Sequence, residues 1–101
     1  MKDLNTATFE DFQACLGQIF IVTPEQSEAL SLELIQVKPI GKVDPQADAR
    51  QPFSLLFRGP IENMLSQRLY QIESATFGAH SLFLVPMGPD ENGQLYDASF
   101  N

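Results

Sequence analysis

The chain has 101 residues and a mass of 11.3 kDa, room for one domain around one core. With 44% hydrophobic and 19% charged residues it is not the composition of a disordered chain. Asp and Glu number 13 against 6 Lys and Arg, a formal net charge of −7, and the cations Lys2, Lys38, Lys42, Arg50, Arg58 and Arg68 are scattered. Binding to nucleic acid or to anionic membrane is disfavoured, because both need grouped Lys and Arg.

A single cysteine, Cys15, leaves no intrachain disulfide to form. Residues Met1–Thr6 lack the apolar run of a signal peptide, and no stretch approaches the roughly 18 apolar residues that a membrane helix needs. A cytoplasmic location is expected, or membership of an assembly exported from the cytoplasm. Residues 1–101 are expected to form one domain.

The first expected element is a helix over about residues 8–17. Thr8 is a good N-cap, Asp11 completes a variant capping box, and Gly17 is placed to stop the helix. Phe9, Phe12 and Leu16 share one face and are expected to meet a β core containing Leu32, Leu34, Phe53, Leu55, Phe57, Leu84 and Phe100. After Gly17 the period changes to two. Strands are expected at about 18–23, 29–38, 53–58, 68–73, 80–86 and 94–101. In the second strand the alternation Leu30, Leu32, Leu34 slips to Ile35 and Val37, the mark of a β-bulge.

Residues 39–52 hold no apolar periodicity and read as the longest loop, mobile or functional. In the connector 61–67, Ile61, Met64 and Leu65 are expected to tuck under the sheet. Leu82–Val85 is apolar on both faces, as in a central strand covered on each side. The final two strands flank Gly88–Gly93, where Asn92-Gly93 suggests a type I′ hairpin turn. The predicted fold is mainly β: about six antiparallel strands curled into a small barrel or roll, with one short N-terminal helix capping an end.

Chemistry-bearing residues are sparse. His80 is the one histidine and reads as an exposed residue at a strand start; Glu73, Asp90 and Asp97 are its conceivable partners. Cys15 has no neighbouring base to lower its thiol pKa and reads as partly buried. Asp90–Gly93 echoes the opening of a calcium loop but runs straight into a strand, so a turn is favoured. Ser54, Ser66 and Ser81 lack a nucleophile-elbow setting, and the glycines form no phosphate loop. No catalytic, metal or cofactor site is expected. Tyr70 and Tyr96 are either cross-strand core pairs or interface anchors. With Asp44, Asp48 and Arg50 of the long loop they make up a candidate interaction surface.

Phe12-x-x-x-Leu16-Gly17, Phe53-Ser-Leu-Leu-Phe-Arg-Gly-Pro60, Leu69-Tyr70, and Phe83 to Asp90 followed by Gly93-x-x-Tyr96 together span nearly the whole chain. The combination resembles a family of short bacterial domains of unknown function, associated with phage-tail-like or tail-collar genes. These motifs are turn glycines and core aromatics, so the resemblance implies an accessory domain and carries no catalytic residue. The expected function is a non-enzymatic protein-interaction or assembly module, presenting a sheet edge or the long loop to a protein partner or to itself. The alternative is a small-ligand-binding or enzymatic barrel with its pocket near His80 and the 39–52 loop.

Overall fold

The computed structural model describes residues 7–25, 28–40, 52–62 and 64–100. Thr8 opens helix α1, Phe9–Gln13, with the reciprocal capping box that its sequence predicts. The Asp11 amide donates to Thr8 Oγ1 at 3.3 Å, and the Thr8 amide donates to Asp11 Oδ2 at 3.0 Å. The helix is shorter than expected. Cys15 N and Leu16 N donate to Phe12 O and Gln13 O, three residues back, so the chain tightens beyond Gln13. That tightening buries Cys15 and turns Leu16 out to solvent, which corrects the expected Leu16 contact with the core. Gly17, at φ 86°, then leaves the turn and donates to Leu34 O, so the chain joins the sheet directly.

Six strands follow: β1 Ile19–Thr23, β2 Leu30–Pro39, β3 Phe53–Gly59, β4 Arg68–Ser74, β5 Gly78–Asp90 and β6 Gly93–Phe100. All pairings are antiparallel, in the closed order β1-β2-β3-β6-β5-β4, with β4 returning to β1 through Val22↔Ile72. The predicted mainly β barrel with one short helix is the fold observed. Closure corrects one expectation: among the described residues every strand has two neighbours, so none of these strands is a terminal one offering a sheet edge. The bulge foreseen in β2 lies where the alternation slips, between Leu34 and Gln36.

β5 is long because it serves two neighbours in turn. Gly78–Leu84 pair with β4 and Val85–Asp90 with β6. A second bulge, between Pro86 and Gly88, carries β5 on through Asp90, so Gly88–Asp90 belong to the strand and not to the expected turn, and Gly88 at φ 92° supplies the bend. The hairpin turn proper is only Glu91-Asn92. Neither residue has positive φ, so the type I′ expectation is corrected. Asp90 Oδ1 holds the turn instead, accepting from Asn92 N at 2.8 Å and Gly93 N at 3.0 Å.

The inward set of Phe20, Val22, Leu32, Leu34, Phe53, Leu55, Phe57, Ile72, Leu82, Leu84, Tyr96 and Ala98 fills the barrel. Phe12 closes one end, its ring 4.5 Å from Phe77 and 5.4 Å from both Phe53 and Phe100. The other end is crossed by the connector between β3 and β4, which must span it because β6 and β5 lie between those strands. Leu65 alone of the three expected connector residues is buried there; Ile61 and Met64 are exposed.

Candidate functional site

Both tyrosines proposed for a surface role point into the barrel. Tyr96 is fully buried, and its hydroxyl oxygen accepts from Leu65 N at 2.8 Å. Burial pushes the Tyr96 phenol above its ordinary pKa, so it stays neutral and keeps that amide satisfied. Tyr70 is buried beside it and donates to Ser66 O at 2.7 Å. The two hydroxyls pin the connector across the barrel end, which corrects their assignment to an interaction surface. From Leu69 to Ser74 and from Leu95 to Ser99 their strands alternate, and each tyrosine falls on the phase of its buried neighbour, Ile72 or Ala98. The other three members, Asp44, Asp48 and Arg50, lie outside the described residues.

His80 is half-buried rather than exposed. It sits at the helix-capped end on the inward phase of β5, with Nε2 2.6 Å from Phe77 O. Glu73 is not opposite it: His80 pairs with Ile72, while Glu73 pairs with Ala79 and faces outward. Asp90 lies at the far end of β5, bound to Arg58, and Asp97 projects from the outer face of β6. The carboxylates considered as partners are therefore dispersed. Among the described residues, no group of three His, Cys, Asp or Glu side chains converges as a metal would require. Of the described concavities, one lies at the connector end of the barrel and the other reaches Ser81, the residue after His80; His80 itself lines neither. One of about 290 Å³ is bounded by Pro24, Met64, Ser66 and Leu65, a second of about 210 Å³ by Thr23, Leu69, Gln71 and Ser81. They share Glu25, Arg68 and Tyr70. Arg68 stands between them, 3.7 Å from Glu25 and with its guanidinium carbon 6.0 Å from the Tyr70 ring centroid.

Beside these concavities part of the outer wall of β4 and β5 is apolar, next to the polar pair Gln71 and Ser81. Leu69 pairs directly with Phe83, and the two are 61% and 47% exposed. Phe83, half-buried Val85 and Met87, 59% exposed, follow one another at every second residue along β5. The outer face of this strand is thus uncovered, contrary to the expectation for Leu82–Val85. The remaining phenylalanines of the barrel and helix pack into the core or against it. Phe83 alone among the eight is turned out. The signal was present in the sequence as a β5 run apolar on both phases; what it could not give was whether another layer covers the outer phase.

A family model described as Domain of unknown function (DUF6916) matches residues 7–100, and the chain belongs to that family. No curated protein and no solved structure matches the chain. No helix among the described residues is long and apolar enough to cross a membrane.

Proposed function

We propose that this domain is a non-enzymatic protein-interaction module, an accessory part of a larger assembly, which docks through the outer wall of β4 and β5. The observation that supports the reading is the directly paired, solvent-facing Leu69 and Phe83, continued by Val85 and Met87, on a barrel whose interior is filled by its own side chains. A large aromatic on an outward phase gains its burial only from another molecule, and such residues are favoured anchors at protein interfaces. The resemblance to short bacterial domains linked with phage-tail-like genes agrees with an assembly role, in the cytoplasm or in a particle delivered from it.

Photo-crosslinking in the protein's own cells tests this. Benzoylphenylalanine in place of Phe83 is expected to form a defined adduct with a second polypeptide, and the same group in place of outward Ser31 on β2 is not. Absence of an adduct from position 83 would reject the wall as a docking face.

A further inference from the structure

The charges around the wall specify the chemistry of what covers it. Asp97 projects outward from β6 with Val85 opposite it on one side and Leu56 on the other, so a carboxylate lies within the apolar stripe. Glu73 occupies the same outward phase of β4 as Leu69 and Gln71. Neither carboxylate has a cationic partner among the described residues; Asp97 accepts only from Ser99 Oγ, at 3.1 Å. The guanidinium near the stripe, Arg68, already has Glu25 beside it, and Arg58 is held by Asp90 at 2.7 Å. The apolar wall is therefore bordered by uncompensated negative charge on a chain of net charge −7.

A second copy is a poor occupant. An isologous contact would bring the Asp97 and Glu73 carboxylates of both copies into one interface and join two acidic bodies. We infer that the wall receives a partner chain whose apolar side chains cover Leu69, Phe83 and Met87 and whose lysines or arginines meet Asp97 and Glu73. This rests on the wall being the docking face. The complementary charges set the partner's orientation and raise its association rate, and the apolar contact holds it.

Selection of a displayed random-peptide library on the intact protein, with counter-selection on the Leu69→Ser/Phe83→Ser variant, separates the two claims. The expected product is a set of peptides that combine apolar residues with Lys or Arg. A synthetic selected peptide should bind the parent more weakly as salt rises, and should lose roughly tenfold or more in affinity with Leu69→Ser/Phe83→Ser. Asp97→Asn/Glu73→Gln should weaken it too and flatten its salt dependence; this variant leaves every apolar side chain in place and guards against misfolding of the first. Acidic or uncharged peptides that still require Leu69 and Phe83 would overturn the partner's chemistry and keep the docking face. Peptides that fail to distinguish the parent from Leu69→Ser/Phe83→Ser would overturn both. A concentration-dependent dimer abolished by Phe83→Ser would overturn the inference in favour of a second copy.

Discussion

Arg58 and Asp90 tie the tip of the β5–β6 hairpin to β3. The Arg58 side chain reaches Asp90 across Gly93, where there is no Cβ to obstruct it. A Cβ at Gly93 would collide with the Gly59 carbonyl oxygen and press on Arg58 Cγ at 3.0 Å. Gly93 is thus required by a close approach between strands and not by positive φ, which is why the Asn92-Gly93 dipeptide misled: its local signal names a turn type, while the constraint comes from β3. The hydrogen bond from Arg58, aided by the Asn92 and Gly93 amides, holds the Asp90 carboxyl below its usual pKa. A carboxylate depressed in the folded state stabilises the fold above its unfolded pKa, about 3.9, and that contribution is lost as pH falls below about 4 through the folded value. Asp90→Asn keeps the turn's acceptor oxygen and removes the charge. Its melting temperature is expected to fall less steeply than the parent's as the solution is acidified below about pH 4. Parallel melting curves against pH for the two proteins would contradict a stabilising Arg58–Asp90 pair.

At the scale of the element, the sequence is most informative where one local device decides the outcome. The β2 bulge follows from a single slip of phase at Leu34 and Ile35, and the helix start follows from Thr8 and Asp11. The helix end was not legible. Whether the last turn continues as α-helix or tightens depends on Gly17 meeting Leu34 O, a contact with a strand seventeen residues away. The choice decides whether Cys15 or Leu16 is buried, and with it which face caps the barrel. Thr8→Ala should therefore lower stability by about 1 kcal/mol, through loss of the side-chain acceptor for Asp11 N. Leu16→Ala, at an exposed position, should stay within about 0.5 kcal/mol of the parent. Urea denaturation midpoints measure both, and a Leu16→Ala loss larger than that of Thr8→Ala would restore the longer helix.

For the whole molecule, alternation along each segment was enough to count strands and assign their inner faces, because a buried face imposes period two wherever it occurs. It left closure open between a barrel and a roll, and the pairings that close the barrel were beyond it. That β4 returns to β1, that β5 divides itself between β4 and β6, and that the β3–β4 connector spans an open end are all properties of pairings distant in sequence. The candidate site was hidden for the same reason, since an outward Phe83 is distinguished from a covered one only by knowing what lies beyond the sheet. The closed barrel makes the two faces energetically unlike, and this can be measured. Phe57 is fully buried, with its ring centroid 5.2 Å from that of Phe20, so Phe57→Ala removes contacts on all sides and should cost about 3–5 kcal/mol. Against a total stability of roughly 5–15 kcal/mol for a domain, that loss brings the protein close to unfolding. Leu69→Ser/Phe83→Ser deletes two large apolar side chains that folding leaves about half exposed, and should shift stability far less, by about 1 kcal/mol in all. Paired denaturation curves therefore test the architecture and the docking face together. A double variant as unstable as Phe57→Ala would mean that the wall is held against the chain's own structure, and is not available to a partner.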